Sequence, residues 1–150
     1  VGRNINETGI NMGNWYNTGY DKTHDFSFVS NFKLNKKLTF NTNFIFQTGQ
    51  PTNYPIGQYT YMDLTIPNYG ARNSNRLPNY HRLDISLTID PNKNKKRDYK
   101  SEWVFGFYNI YDRDNANSIT FRQNDKTLKN EAVQISIFGI VPSITYNFKF

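Results

Sequence analysis

The chain has 150 residues, of which 37% are hydrophobic and 17% aromatic, and its 18 Lys and Arg against 12 Asp and Glu give a formal charge of +6. Mean hydropathy is -0.75, and no window approaches the ~20 apolar residues of a membrane-spanning helix, so helical insertion is excluded. There is no cysteine, which excludes disulfides and thiolate metal sites.

Abundant Asn, Phe and Tyr with scarce Ala, Leu and Val favour strands and turns over helices. Val1 to Thr23 shows no sustained period and reads as a long loop with at most a short strand. Its first residues lack the apolar core of a signal peptide, so an exported protein starting at Val1 is expected to be a mature or internal fragment. From His24 the pattern alternates. Phe26, Phe28, Ser30, Phe32 and Leu34 form one face of a first strand, Asn35 to Lys37 is a tight polar turn, and Leu38, Phe40, Thr42, Phe44 and Phe46 form one face of a second.

Gly49 to Tyr80 breaks the alternation with four prolines and three glycines and is far longer than the ~2 to 5 residues of a hairpin loop. A third strand runs from His81 to Ile89, with Leu83, Ile85, Leu87 and Ile89 opposite Arg82, Asp84, Ser86 and Thr88. Asp90 to Asp98 is a second polar turn. A fourth strand, Ser101 to Tyr111, is apolar on both faces, so periodicity does not choose its buried or lipid side. Asp112 to Glu131 reads as another long polar loop. The last strand starts near Ala132 with apolar odd positions, but beyond Pro142 the apolar residues Ile144, Tyr146, Phe148 and Phe150 stand at even ones. A strict period of two cannot change phase without an inserted residue, so a β-bulge or kink is expected between Phe138 and Pro142.

Short turns alternating with long loops, and strands that except for the fourth are greasy on one side, are the pattern of an antiparallel transmembrane β-barrel. Five strands at neighbour spacing cannot close around a lumen. The expected fold is therefore all-β, an open barrel segment, with residues 1–23 an extracellular loop or strand end and 24–150 the barrel part. Asn35 to Lys37 would lie on the periplasmic side and Gly49 to Tyr80 on the extracellular side.

The basic residues Lys36, Lys37, Lys93, Lys95, Lys96, Arg97 and Lys100 fall in two turns instead of along a strand face, and no RNP-like run occurs, so no nucleic-acid partner is expected. No Gly-x-Ser-x-Gly, His-Glu-x-x-His or phosphate-cradling glycine loop is present, and no enzymatic activity or cofactor is expected. His24 and His81 stand at strand starts without further metal ligands. Asp112, Asp114 and Asn115 gather oxygen ligands but lack the Gly and distal Glu of a calcium loop, and read as a solvated turn with at most an adventitious metal site. Tyr54, Tyr59, Tyr61 and Tyr69 with Arg72 and Arg76 could stack on and hydrogen-bond to a sugar or peptide. The competing reading is that the tyrosines pack the loop on itself or form an interfacial girdle.

Three runs together carry a family likeness: Asn79 to Thr88; Trp103 to Tyr111 followed by Asp112-Arg113-Asp114-Asn115; and Gln134 to Phe150. Through them the chain, over about Phe26 to Phe150, resembles the carboxyl-terminal end of Bacteroidetes-type TonB-dependent outer-membrane receptors of the SusC-like and RagA-like branches. The resemblance implies a 22-stranded barrel with an amino-terminal plug, importing a bulky nutrient such as a glycan, peptide or chelate. It implies the rest of that polypeptide, a SusD-like surface lipoprotein, TonB, the barrel-assembly machinery and outer-membrane lipid as partners, a periplasmic carboxyl terminus, and Tyr146, Phe148 and Phe150 as the assembly signal. The chain itself has neither plug nor TonB box, so it is expected to be the last segment of a longer polypeptide whose other strands pair with both edges. Other classes left open are a non-transporting outer-membrane binding barrel and a soluble, aromatic-rich carbohydrate-binding sandwich.

Overall fold

The computed structural model describes residues 2–3, 10–62, 64–91, 99–124, 126 and 130–149. The chain divides into two compact units, one of Val1–Thr23 with Thr48–Asn79 and one of His24–Gln47 with Tyr80–Phe150. In chain order the strands are β1 (Gly2–Arg3), β2 (Tyr16–Asn17), β3 (Asp25–Lys33), β4 (Leu38–Gln47), β5 (Pro51–Thr52), β6 (Pro55–Tyr61) and β7 (Leu64–Tyr69). They continue as β8 (Asn75–Arg76), β9 (Tyr80–Ile89), β10 (Lys100–Tyr108), β11 (Ala116–Gln123), β12 (Asn130–Ser136) and β13 (Val141–Lys149). The fold is all-β, every pairing is antiparallel, and the main sheet is open.

That sheet has the order β13-β10-β9-β4-β3, a meander in which each long strand lies beside its sequence neighbour. Its register aligns the alternation of every strand. Phe28 faces Phe44, Phe44 faces Leu83, Phe40 faces Leu87, Leu87 faces Phe105, and Phe105 faces Ile144. Because side chains alternate between faces, this register puts the apolar sets of all five strands on one side. Ser27, Asn41, Asn43, Ser86, Thr88, Thr145 and Asn147 lie on the other. The fourth strand, unreadable from its own pattern, is thereby settled. Trp103, Phe105 and Phe107 belong to the apolar face, and Val104, Gly106 and Tyr108 to the polar one.

The β3–β4 turn is closed by Asn35, whose Oδ1 accepts the N–H groups of Lys37 at 2.8 Å and Leu38 at 3.0 Å, an Asx turn that gives the chain a tight reversal. The second polar turn is described only at its ends, and Lys93 to Arg97 lie outside the described residues, as does Phe150.

Three expectations need revision. The long segments are not structureless: β5 pairs with β8 and β6 with β7 in the first, and β11 pairs with β12 in the second. The fourth strand stops at Tyr108, because Asn109 takes a left-handed φ of 53°. The last strand is two strands. β12 pairs with β11, the break falls at Ile137–Ile140, and β13 alone joins the main sheet. The change of phase thus marks a change of partner, since residues before the break belong to a different ladder from those after it.

Among the described residues no hydrophobic side chain is buried; the buried polar ones are Ser101 and Asn109. The sheet therefore has an apolar face without a core beneath it.

Candidate functional site

Three sites can be built from the residues upward. The first is the apolar face itself. Phe26, Phe28, Phe32, Trp103, Phe105, Phe107, Ile144, Tyr146 and Phe148 are 40–70% exposed, although neighbouring rings touch. Aromatic contacts gather at its two ends. At the short-turn end Trp103 meets Tyr146 at 4.6 Å between ring centroids, and Tyr146 meets Phe148 at 6.0 Å. At the long-loop end His81 stacks with Phe46 at 6.4 Å and meets Tyr111 at 5.6 Å, with a hydrogen bond of 2.8 Å between His81 Nδ1 and the Tyr111 hydroxyl. His81 and Ile89, the cross-strand partner of Trp103, are separated by about 26 Å at roughly 3.3 Å per strand residue.

The second site is the corner after β10. Asn109 is fully buried, and each of its polar groups is used. Its N–H donates to Asp84 Oδ1 at 3.0 Å, its Nδ2 donates to the carbonyls of Arg113 at 2.9 Å and Phe138 at 3.5 Å, and its Oδ1 accepts from Arg113 N–H at 3.2 Å. Asparagine suits this position because its short amide tolerates the left-handed backbone and satisfies local groups. Asp112, also left-handed at φ 53°, accepts from Ile140 N–H at 2.7 Å and thereby fixes the break before β13. Gly139 packs against that carboxylate where a Cβ would overlap it. Asn115 exchanges two hydrogen bonds with the backbone of His81, at 3.1 and 2.9 Å. On the polar face Arg82 joins Asp84 at 2.9 Å, donates to the hydroxyls of Tyr80 and Tyr108 at 3.0 and 2.7 Å, and lies 4.0 Å from the Tyr108 ring centroid. Asp84 therefore joins the sheet wall to the corner.

This arrangement gives Asp112 and Asp114 structural work: the Asp112 carboxylate holds Ile140, and the Asp114 carbonyl accepts from Gln134 at 2.8 Å. No group of three His, Asp or Glu able to hold a metal occurs among the described residues.

The third site is in the loop unit. Arg76 donates to the carbonyl of Gly49 at 2.9 Å and that of Asp21 at 3.3 Å, and forms an ion pair with the Asp21 carboxylate. That hydrogen bond holds the Asp21 carboxyl below the usual aspartate range. The Tyr54 hydroxyl donates to the Arg76 carbonyl at 3.2 Å, and burial pushes its phenol up. Tyr54 and Arg76 thus brace the loop. Arg72 lies over the Tyr16 ring, 5.4 Å from its centroid. Tyr59 and Tyr61 stand opposite Ile66 and Leu64 on the β6–β7 hairpin and are more than half exposed, as is Tyr69. The six residues singled out from sequence are therefore divided between bracing, Tyr54 and Arg76, and exposed surface. Sequence reasoning missed Asp84 and Asn115 as corner residues, and Trp15, Asn53 and Asn11 beside Arg72. A polar Asn109 inside the apolar run 103–111 was the available signal for the corner.

Set beside known proteins, the chain matches no family model, and no curated protein or solved structure matches it.

Proposed function

We propose that the chain is the carboxyl-terminal barrel segment of a TonB-dependent outer-membrane receptor of the Bacteroidetes type, and that the complete receptor imports a bulky nutrient. The observation that carries this reading is the apolar face, continuous across five register-matched strands and open to its surroundings, opposite a more polar face of Ser, Thr and Asn with the Arg82–Asp84 pair. A soluble sandwich would cover such a face with a second sheet, whereas a barrel turns it to lipid and the polar face to the lumen. The strands have nine or ten residues, against the ~9–11 a tilted strand needs to cross the hydrocarbon layer. The aromatic clusters at the two strand ends support the reading, since such barrels carry aromatic girdles at both interfaces. In this reading β3 and β13 pair with strands elsewhere in the same polypeptide, since backbone edges left open in lipid cost several kcal/mol per unpaired group. A surface lipoprotein, TonB and the barrel-assembly machinery follow as partners of the complete receptor.

The test is a pair of single-cysteine variants, Phe28→Cys and Asn41→Cys, labelled with a fluorophore in the outer membrane of cells making the natural polypeptide. Spin-labelled lipid is expected to quench the label at position 28 and spare that at position 41. Equal quenching at both positions would overturn the membrane assignment.

A further inference from the structure

The loop unit holds an open groove of about 770 Å³, within the range of small-ligand sites. Its apolar surfaces are Trp15, Tyr69 and Met12, exposed by 72%, 53% and 84%. Asn14, Asn53 and Arg72 supply the polar groups. The floor is built from asparagine cross-ties. Asn11 Oδ1 accepts from Arg72 N–H at 3.0 Å and Asn11 Nδ2 donates to the Asn14 carbonyl at 3.4 Å. Asn53 Oδ1 accepts from Asn73 N–H, and Asn73 Nδ2 donates to the Asn17 carbonyl at 2.6 Å. These bonds join three chain segments, and they leave the rings of Trp15 and Tyr69 facing outward. The turn that presents Trp15 puts Asn11, Met12 and Gly13 at φ 59°, 50° and 76°, of which the left-handed methionine is the uncommon one.

Arg76 and Arg82 each meet an aspartate, whereas among the described residues no carboxylate pairs with Arg72. Its planar guanidinium is pre-organised over Tyr16 and suited to a carboxylate held by two parallel hydrogen bonds. Exposed indole and phenol rings suit the flat C–H faces of pyranose sugars, and carboxamides donate to and accept from vicinal hydroxyls. A nucleotide or a strongly acidic peptide would call for several cations, and the groove has one.

We propose that the groove of Trp15, Tyr69, Asn14, Asn53 and Arg72 binds an acidic oligosaccharide, with a uronic acid carboxylate on Arg72 and sugar rings on Trp15 and Tyr69. The proposal stands on the loop unit alone and does not require the membrane reading.

The experiment uses the natural polypeptide carrying this chain, purified from its own cell fraction, with tetragalacturonate and the neutral cellotetraose as probes in isothermal titration calorimetry. Tetragalacturonate is expected to bind at least tenfold more tightly than cellotetraose, the advantage shrinking with added salt. Arg72→Gln should remove that advantage by weakening tetragalacturonate far more than cellotetraose, and Trp15→Ala should weaken both probes. Arg72→Gln keeps the backbone N–H that holds Asn11, and far-UV circular dichroism checks that the strands persist. Equal affinity for the two probes, an Arg72→Gln protein with undiminished preference, or no saturable binding by folded protein would each overturn the proposal. Recovery of the polypeptide in the soluble fraction, still binding tetragalacturonate, would sink the barrel reading and leave the groove in place.

Discussion

The sheet unit and the loop unit are held by different kinds of hydrogen bond. In the sheet, the β3–β4, β4–β9 and β10–β13 backbone ladders run the length of nine- and ten-residue strands, while β9 and β10 pair over five residues, and most side chains are left to define two faces. In the loop unit the ladders are short, two of them only two residues long, and the chain is tied by side chains: Arg76 to Gly49 and Asp21, Tyr54 to Arg76, Asn11 to Arg72, and Asn73 to Asn17. A ladder tolerates many substitutions because every residue offers the same backbone groups. A side-chain tie fails when one residue changes. The corner after β10 combines the two, since a single asparagine ends that strand and ties it by its side chain to Arg113 and Phe138.

Breaking that corner should have the largest effect. Asn109→Ala strips the N–H and carbonyl of Arg113 and the carbonyl of Phe138 of their hydrogen bonds and puts a Cβ-bearing residue without a compensating amide at a left-handed φ, so a loss of about 3–5 kcal/mol is expected. Asn109→Gly removes the same side-chain bonds but relieves the backbone, and should recover about 1 kcal/mol of the loss. Urea titration of the natural polypeptide in lipid vesicles measures both. Equal losses for the two variants would show that backbone conformation contributes nothing at Asn109.

The contrast between the faces gives the next effect. Phe105→Lys places a charge on the apolar side at mid-strand and should destabilise the protein in a bilayer by about 2–4 kcal/mol. Thr145→Lys, one strand away on the polar side, should cost less than about 1 kcal/mol. If the two variants unfold at the same urea concentration, the apolar face is not in contact with lipid.

The same contrast explains what could be read from the residues alone. Strands β3, β4, β9 and β13 were legible because one face is apolar at every second position, and the Asn35 turn because its chemistry is local. The short-range pattern of β10 was ambiguous, and only its register against Leu87 and Ile144 assigns its faces. β6, β7 and β11 were hidden because they belong to separate two-stranded hairpins, where no extended apolar face imposes a period of two. The break at Ile137–Ile140 left a visible change of phase, but its cause, the Asp112 carboxylate receiving Ile140 N–H, links residues 28 apart. The groove was out of reach for a related reason: Trp15, Asn53 and Arg72 come together through asparagine bonds spanning up to 61 residues.

The smallest effect should appear in acid, and it separates the loop unit from the sheet. The hydrogen bond from Arg76 lowers the folded-state pKa of Asp21. A carboxyl lowered on folding adds stability that is fully present above its unfolded pKa of about 3.9 and is lost as pH falls through the folded value. Loosening of the loop unit is therefore expected below about pH 4, in the range where Asp21 takes up its proton. Arg76 then keeps its bonds to the Gly49 and Asp21 carbonyls but loses its anionic partner. Pepsin digestion across this range, with cleavage sites located by mass spectrometry, should show cuts within residues 48–79 rising as pH falls, relative to cuts in the sheet strands. Asp21→Asn should cut at the acid-state rate throughout the range and show no such rise. If the variant keeps the full pH dependence of the natural sequence, another group governs the loop unit, and the Asp21–Arg76 pair is a surface contact of no consequence for its stability.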